Sequence, residues 1–144
     1  MHNDFTFAIV KPNAVRNKKT GPILAMINEA GFYIIAMKMT QLTTQQARLF
    51  YSVHRGKPFF DGLVEFMTSG PIVAMVISRE DAVEEFRQLI GETDPSMAGE
   101  GTIRKIFATS VQMNAIHGSD STDNAVKEAA FFFSEFERFY PPEE

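Results

Sequence analysis

The chain has 144 residues, of which 44% are hydrophobic and 22% charged, values typical of one globular domain. It contains no cysteine, and this excludes disulfides, thiolate metal sites and cysteine nucleophiles. Its formal net charge of −4 disfavours a general nucleic-acid binder, although a few converging cations can still bind a small anion locally.

The apolar periodicity of the chain predicts alternating strands and helices. In chain order these are a strand over 5–10, a helix over 20–30, a strand over 32–42, a helix after Thr43, a helix over 59–67, a strand over 72–77, a helix between Ser78 and Gly91, a loop over 91–102, a helical turn over 103–107, a strand over 111–116 and a helix over 122–133. Two residue pairs have the spacing of a capping box and should start helices, namely Thr43 with Gln46 and Ser78 with Asp81.

The order of these elements predicts an α+β fold of β-α-β-β-α-β type, with helices on one side of a mostly antiparallel, four-stranded sheet. The unbroken apolar run 72–77 indicates a central strand buried on both faces. We expect a single domain over 1–144, with a core of about 5–134 and a C-terminal tail over 135–144. The aromatic residues of that tail are expected to pack on this chain or on a neighbouring one.

The same periodicity predicts which way side chains point. In the turn over 103–107, Arg104 and Lys105 are expected to point outward, and in the last helix Val126 is expected to face inward. The loop over 91–102 has little apolar content, and a loop of this length in a compact domain is usually functional.

The segment from Asn114 to Ser121 holds one histidine between a short apolar step and a run of small polar residues. We expect His117 to be exposed on a turn, with Gly118 leaving room for a large ligand beside the imidazole. Glu128, in the helix that follows, is the kind of group that holds an imidazole in one tautomer. These residues alone leave two alternatives open: a nucleophile, or a loop histidine that merely caps or packs.

The chain has no phosphate-loop, dinucleotide-binding, zinc-protease or serine-hydrolase motif, and its three histidines lack metal-ligand spacing. The remaining chemistry is attack on phosphorus by neutral imidazole, whose ordinary pKa of about 6.5 leaves much of it unprotonated at neutral pH. Such attack needs cations and, for a nucleotide donor, an aromatic surface. Residues of those types are Lys11, Arg87, Arg104 and Phe59, but their spacing does not show that they converge.

The chain resembles nucleoside diphosphate kinases over roughly residues 5–134. The segment from Asn114 to Ser121 is similar to the active-site signature of that family, N-x-x-H-G-S-D-S. The other pieces that fall in register with the family are Lys11-Pro12, Tyr51, Pro58-Phe59-Phe60, Met67-Thr68-Ser69-Gly70-Pro71, Gly91-Glu92-Thr93 and Gly101-Thr102-Ile103-Arg104. Agreement of so many pieces in order is not expected by chance.

The resemblance implies a ferredoxin-like α/β sandwich and a ping-pong reaction. A nucleoside triphosphate such as ATP would give its γ-phosphate to Nδ1 of His117, and the phosphohistidine would pass it to a nucleoside diphosphate. Ser119 and Glu128 would hydrogen-bond and orient the surroundings of the histidine. The resemblance also implies a homo-tetramer or a homo-hexamer.

Further residues are implied on the phosphate side of the site. Lys11 would bind the transferring phosphate and stabilise charge on the leaving oxygen, and Tyr51 would lie beside Lys11 and His117. The α- and β-phosphates would be held by Arg87, Thr93 and Arg104. Mg²⁺ would be held mainly by the phosphates, which explains why the sequence shows no cage of carboxylates.

The nucleoside would be held by a different group of residues. Asn114 would contact the ribose 3′-hydroxyl. Phe59 and Val111 would sandwich the base, and Leu63 would line the same slot. Stacking suits a broad range of nucleotides because every base has a π-face.

Three positions depart from the commonest family pattern, and none of them removes a catalytic group. Asn13 stands where aspartate is frequent, Asp94 where asparagine is frequent, and Lys105 where a small or acidic residue is usual. Asp94 and Lys105 flank the phosphate-binding loop, so we expect them to bear on nucleotide affinity.

Two alternatives to a kinase are a histidine-based phosphatase or phosphocarrier and a non-catalytic nucleotide-binding assembly module. A phosphatase or phosphocarrier would require a second acid or a docking surface for a protein partner. A non-catalytic module would be favoured if key residues of the site were missing. We expect a cytoplasmic protein without a membrane partner or a specific nucleic acid. The N-terminus lacks the regions of a signal peptide, and no apolar run approaches the ~20 residues that span a bilayer.

Overall fold

The computed structural model of the chain describes residues 4–142 and contains four strands and seven α-helices in that range. In chain order they are β1 (Phe5–Val10), α1 (Pro12–Arg16), α2 (Thr20–Glu29), β2 (Tyr33–Thr40), α3 (Thr44–Phe50), α4 (Phe60–Met67), β3 (Ile72–Ser78), α5 (Ala82–Ile90), α6 (Ile103–Phe107), β4 (Ile116–Gly118) and α7 (Thr122–Phe132). Short 3₁₀ turns cover Ser52–His54, Pro95–Met97 and Glu135–Glu137. None of the helices in residues 4–142 has the length and apolarity that crossing a bilayer requires.

The four strands form one sheet in the order β2-β3-β1-β4, and each neighbouring pair is antiparallel. This confirms the predicted ferredoxin-like sandwich, with a sheet that is wholly rather than mostly antiparallel among the described strands. In the register of β1 and β4, Ile9 lies opposite His117. The end of β1, which leads into Lys11, therefore lies beside the histidine.

Helices cover both faces of the sheet, so the prediction of a one-sided layer is wrong. Phe7 and Ile9 of β1 join a core cluster with residues of α3, α4 and α7. Ala8 and Val10 alternate to the opposite face and join a second cluster with residues of α2, α5 and α6. The reason is visible in β3, whose residues are all buried, because a strand with two apolar faces needs a layer on each.

One of the two predicted helix caps is present. At α3 the Thr43 side chain accepts from the Gln46 backbone at 3.1 Å, and the Gln46 side chain accepts from the Thr43 backbone at 2.9 Å. The prediction that Ser78 starts a helix is wrong, because β3 continues through this residue and the Ser78 hydroxyl donates to the Asp4 carbonyl at 2.7 Å. Helix α5 starts after Asp81 instead, which has a left-handed φ of 56°, and ends at Gly91 as predicted.

The last strand and the last helix differ from their predictions in position and phase. β4 covers Ile116–Gly118 rather than 111–116, because a turn closed by the Thr109 amide on the Met113 carbonyl at 3.0 Å occupies the predicted start. In α7 the inward position is taken by Ala125, and Val126 is 52% exposed. Small alanines let α7 lie close against β1, and a valine one position later points away from the sheet.

Candidate active site

A cleft of about 1240 Å³ opens beside β4, between the α3–α4 segment on one side and α5, α6 and the loop over 91–102 on the other. All of the predicted site residues line this cleft except Ser119, which is buried immediately behind it. The structure therefore brings together side chains that are spread over more than a hundred positions of sequence. Their convergence is a property of the fold and could not be read from spacing.

His117 lies on strand β4 with 18% of its side chain exposed, so the expectation of an exposed, turn-borne histidine is wrong. Its Nε2 lies 2.9 Å from Oε1 of Glu128, and that same oxygen accepts a hydrogen bond from the Ser119 hydroxyl at 2.6 Å. A carboxylate oxygen accepts, so Nε2 carries the proton and Nδ1 keeps the lone pair. Within residues 4–142, Nδ1 makes no hydrogen bond.

Three aromatic rings fix the plane of the imidazole. The ring centroids of Phe7, Phe50 and Tyr51 lie 6.1, 5.6 and 6.3 Å from that of His117, each in an edge-to-face arrangement. Phe50 also contacts the Tyr51 ring at 4.9 Å. The imidazole is therefore held by apolar edges on its sides and by a carboxylate behind Nε2.

A strained turn precedes the histidine strand. Ala115 has a φ of 78°, and the Ile116 amide donates to the Asn114 carbonyl at 2.9 Å, which closes a three-residue γ-turn of the rare, positive-φ kind. Such a conformation costs about 1–3 kcal/mol and persists only where the surroundings enforce it. Here the Lys11 amide donates to the Ala115 carbonyl at 2.8 Å and joins the turn to the end of β1.

Gly118 is required by the packing of β4 against α5. A Cβ at this position would lie 2.9 Å from Cδ2 of Phe86 and 3.1 Å from Cδ1 of Ile90, both on α5. The glycine thus lets α5 approach β4 closely. Gly118 also lines the cleft beside His117, so the expectation that it leaves room for a ligand stays a prediction.

Lys11 is a buried amine with a single hydrogen-bond partner among residues 4–142. Its Nζ donates to Oδ1 of Asn114 at 2.8 Å, and the residue is 7% exposed. Burial, together with a smaller contribution from the positive charge of Arg104, lowers the pKa of Lys11 from the usual 10.5 to about 7. Asn114 in turn donates from Nδ2 to the Thr93 carbonyl at 3.3 Å, which joins the lysine to the loop over 91–102.

Arg104 points inward, so the prediction that it faces solvent is wrong. It is 8% exposed and donates to the Gly91 carbonyl at 3.0 Å and to the Ile116 carbonyl at 2.9 Å. Burial lowers the pKa of Arg104 to about 10, with a smaller contribution from the positive charge of Arg87. A single helical turn has no apolar stripe from which this direction could be predicted, whereas Lys105 is exposed as expected.

The remaining predicted residues lie at the mouth of the cleft. Phe59 and Val111 are 50% and 55% exposed, and Leu63 is half-buried between them and the core. Arg87 and Thr93 are exposed on α5 and on the loop that follows it. Apolar groups thus line one part of the cleft and cations another, as a ligand with an aromatic end and an anionic end requires.

The sequence profile of the nucleoside diphosphate kinase family matches residues 4–138. The chain belongs to the nucleoside diphosphate kinase family. A nucleoside diphosphate kinase of Lawsonia intracellularis is 54% identical over 133 residues, which cover 92% of this chain and 96% of that one. One of Flavobacterium psychrophilum is 52% identical over 139 residues, covering 96% of this chain and all of the relative.

Solved structures of nucleoside diphosphate kinases have the same fold. The enzyme of Aquifex aeolicus superposes with a TM-score of 0.93 at 44% identity, covering 96% of this chain and 99% of that one. The enzyme of Halobacterium salinarum, solved in complex with CDP, superposes with a TM-score of 0.93 at 38% identity, covering 98% and 94%. The chain is therefore a kinase of the phosphotransferase class that binds nucleotides.

Phe50 and His54 also line the cleft, although neither was among the residues predicted for a nucleoside diphosphate kinase site. Phe50 packs against His117 as described, and His54 lies beneath the aromatic rim, with its ring 6.5 Å from that of Tyr51 and 5.1 Å from that of Phe59. Nδ1 of His54 is buried and has no hydrogen-bond partner within residues 4–142, and burial lowers the pKa of this imidazole. Both residues belong to an apolar stripe formed by Ala47, Phe50, Tyr51 and His54, a pattern that is more typical of a core edge than of a cleft.

The departures from the family pattern lie outside the cleft lining. Asp94 uses its Oδ1 to accept from the Ser96 amide at 3.0 Å and from the Ser96 hydroxyl at 2.8 Å, and so caps the 3₁₀ turn over Pro95–Met97. Asn13 is buried and donates from Nδ2 to the Met113 carbonyl at 3.1 Å. Asn13 therefore holds the loop that carries Val111 against α1.

The donor set of the cleft fits a divalent cation that arrives with its phosphates. Among residues 4–142 no group of three or more His, Asp or Glu side chains is placed to hold a metal ion. The carboxylates that line the cleft stand on separate segments, and Glu128 is already bound by His117 and Ser119. Mg²⁺ usually keeps several waters and binds phosphate oxygens, so it does not need a cage of protein carboxylates.

Proposed function

We propose that this chain transfers the γ-phosphate of a nucleoside triphosphate to a nucleoside diphosphate through a phosphohistidine at Nδ1 of His117. The observation that carries the proposal is the pairing of Nε2 with Glu128, which directs the lone pair of Nδ1 to the cleft. A single domain over residues 1–144 carries the whole reaction, and the family match over 4–138 supports this extent.

In the first half-reaction the Nδ1 lone pair attacks the γ-phosphorus. The bond from that phosphorus to the bridging oxygen breaks, and the nucleoside diphosphate leaves with the electron pair. The phosphorylated ring keeps its proton on Nε2 and becomes positively charged, which the Glu128 carboxylate 2.9 Å away stabilises. The second half-reaction runs the same steps in reverse with a different diphosphate.

Cations from separate elements stabilise the phosphate charge. Lys11 reaches the transferring phosphoryl group and the leaving oxygen, and Tyr51 completes that side of the pocket. The α- and β-phosphates are held by Arg87, Thr93 and Arg104. Burial raises the pKa of Tyr51, helped by the negative charge of Glu128, so its phenol stays a neutral hydrogen-bond donor.

The nucleoside lies between the apolar residues at the mouth of the cleft. Phe59 and Val111 contact the two faces of the base, Leu63 closes the slot, and Asn114 reaches the ribose 3′-hydroxyl. Stacking does not distinguish bases strongly, so a broad range of nucleotides is accepted. Mg²⁺ bound to the phosphates would neutralise part of their charge, and the side chains named here hold the rest.

The decisive experiment is phosphoenzyme trapping. Protein incubated with ATP labelled at the γ-phosphate should carry acid-labile label on His117, and added nucleoside diphosphate should remove that label as nucleoside triphosphate. His117→Gln should stay unlabelled and folded by circular dichroism. The matched control is His2→Gln, which lies before the family-matched residues and should be labelled like the wild type.

Each alternative gives a different result in the same assay. Rapid loss of label to water would indicate a histidine phosphatase, and transfer only to another protein would indicate a phosphocarrier. An unlabelled wild-type protein that still binds nucleotide would indicate a non-catalytic module. The kinase proposal requires label that is stable in water and lost to a nucleoside diphosphate.

We further propose that the protein is a cytoplasmic homo-oligomer, a tetramer or a hexamer. β2 is an edge strand with three exposed large side chains, Tyr33, Met37 and Met39. Phe136 and Phe139 of the C-terminal tail are also exposed, and the Phe139 amide donates to the Ile35 carbonyl at 2.7 Å on the same strand. An edge strand that bears exposed apolar side chains is typical of an interface.

Light scattering tests the assembly directly. The wild type should have the mass of four or six chains, and Met39→Glu should reduce it, whereas the exposed Lys19→Glu should not. A wild-type protein with the mass of a single chain would refute the assembly without affecting the proposed reaction.

A further inference from the structure

The environment of the Lys11 amine is unusual for a phosphate-binding lysine. Its Nζ is buried and has one hydrogen bond, to the neutral amide oxygen of Asn114. Among the ion pairs of residues 4–142, none involves Lys11. A buried ammonium ion without a counter-ion is costly, and such groups usually give up their proton instead.

The charges around the cleft do not supply the missing counter-ion. The titratable groups that line it with Lys11 are Tyr51 after α3, His54 in the next turn, Glu84 and Arg87 on α5, Glu92 in the loop, Arg104 on α6, His117 on β4, Asp120 before α7, and Glu128 on α7. The one whose charge acts most on Lys11 is Arg104, which is positive.

The nearby carboxylates have other roles. Glu128 accepts from His117 and Ser119, and Asp120 accepts from the Asn124 side chain. Glu92 acts on Arg104, whose pKa its negative charge tends to raise. Within the described part of the chain, the polar groups that act directly on Lys11 are therefore one amide oxygen and a neighbouring cation.

We propose that Lys11 is a neutral amine in the nucleotide-free enzyme and takes up a proton from solvent when nucleotide phosphates enter the cleft. Nucleotide binding is thereby coupled to the uptake of one proton per site. This rests on the proposed function only in placing phosphates beside Lys11. The phosphate oxygens supply the counter-ions that Lys11 lacks in the free enzyme. Beside them a charged Lys11 forms charge-assisted hydrogen bonds, which a neutral amine cannot form.

The electrostatics of the empty cleft agree with this assignment. Burial lowers the pKa of Lys11 to about 7, with Arg104 contributing in the same direction. Above neutral pH the free enzyme then holds mostly the neutral form. Dianionic phosphate oxygens within a few ångströms favour the charged form and return the pKa toward its ordinary range.

Calorimetry measures the coupling. Binding of Mg–ADP is followed at about pH 8.5 in buffers of different ionisation enthalpy, because there the nucleotide phosphates and an ordinary imidazole are already deprotonated. We expect the wild type to take up close to one proton per site, since a lysine of pKa about 7 is almost wholly neutral at that pH. A lysine with an ordinary pKa would already be charged and would take up almost none.

Two variants assign the proton to Lys11. Lys11→Arg stays charged at every accessible pH, so its proton uptake should fall to nearly zero. The control, Lys19→Met, removes an exposed lysine outside the cleft and should keep the wild-type uptake. Uptake near zero in the wild type, or equal uptake in Lys11→Arg, would overturn the proposal.

A second measurement does not depend on how well a variant binds. Nitrogen-15 NMR of the side-chain amine in the nucleotide-free wild type should show Lys11 titrating near pH 7, and saturating Mg–ADP should shift that midpoint upward by a unit or more. An unshifted midpoint, or one near 10.5 in the free enzyme, would refute the inference. Phosphohistidine formation from γ-labelled ATP, in a separate sample of the same protein without ADP, tests the proposed function independently, because transfer can proceed whether or not binding takes up a proton.

Discussion

Replacing Lys11 by methionine should stabilise the nucleotide-free protein while abolishing its proposed activity. Methionine has nearly the length of lysine and no charge, so it fills the same buried space. The change therefore isolates the free energy required to bury the amine. It also removes the cation that we place on the transferring phosphate.

The expected gain follows from the pKa of Lys11. A lowering from 10.5 to about 7 corresponds to about 5 kcal/mol at or below neutral pH, since one pKa unit is about 1.4 kcal/mol. Part of this is offset, because Oδ1 of Asn114 loses its donor and an unsatisfied buried acceptor costs about 1–3 kcal/mol. We therefore expect the free energy of unfolding of Lys11→Met to exceed that of the wild type by about 3 kcal/mol at pH 7.

The pH dependence gives the more specific test. The folded-state pKa of Lys11 lies below the unfolded value, so between about pH 7 and 10.5 the unfolded chain binds the extra proton. The stability associated with the wild-type lysine is complete above the unfolded pKa and is lost as the pH falls toward 7. The advantage of Lys11→Met should consequently be largest at and below about pH 7 and vanish near about pH 9, where the remaining charge penalty equals the pH-independent cost of the unsatisfied Asn114 oxygen. By about pH 10.5 the wild type should be the more stable protein.

Urea unfolding of the nucleotide-free proteins at several pH values measures this difference, with Lys19→Met as the matched surface control. Lys19 is exposed, so its removal should change stability little at any pH. A Lys11→Met variant less stable than the wild type at pH 7 would refute the reasoning. So would a gain that stays constant between pH 7 and 10, because a packing effect would not follow the titration.

Three further substitutions test the support around the histidine. Glu128→Gln should slow phosphohistidine formation by about 10- to 100-fold, because an amide stabilises the charged ring of His117 less than a carboxylate does; an unchanged single-turnover rate would contradict this. Gly118→Ala should lower the free energy of unfolding by about 1–3 kcal/mol, because the added Cβ would lie 2.9 Å from Cδ2 of Phe86. Equal urea midpoints for the variant and the wild type would contradict this, because they would mean that α5 can shift without loss of stability. Phe50→Leu should reduce kcat by roughly 10-fold while KM for ATP stays nearly constant, because only the orientation of the His117 imidazole changes. A proportionate rise in KM would indicate instead that Phe50 contacts the nucleotide.

The parts of the fold that were predicted correctly are those with local causes. β1 has the predicted bounds, because an apolar run followed by proline defines both ends of a strand within a few residues. The capping box at Thr43 was predicted for the same reason, since its two hydrogen bonds join residues three positions apart. The total burial of β3 also follows from its sequence, and it implied the second helix layer that the predicted topology omitted.

The parts that were missed depend on residues far away in the sequence. Arg104 turns inward because Gly91 and Ile116 present carbonyl groups to it, and neither is visible from a five-residue helix. Gly118 is needed because Phe86 packs against it, a contact across more than thirty positions. Val126 faces solvent because Ala125 and Ala129 set the phase of α7 against the sheet.

The family signature named the reacting groups, but only the structure shows how their charges are arranged. Glu128 lies behind Nε2 of His117, where it stabilises charge on the ring and accepts hydrogen bonds from His117 and Ser119. Lys11, by contrast, donates a hydrogen bond to the neutral amide oxygen of Asn114. A carboxylate in the place of Asn114 would charge Lys11 permanently and repel incoming phosphates, whereas the amide leaves that charge to be induced by the nucleotide. The separation of these two environments lets one cleft stabilise a positive imidazole and still bind a polyanion beside it.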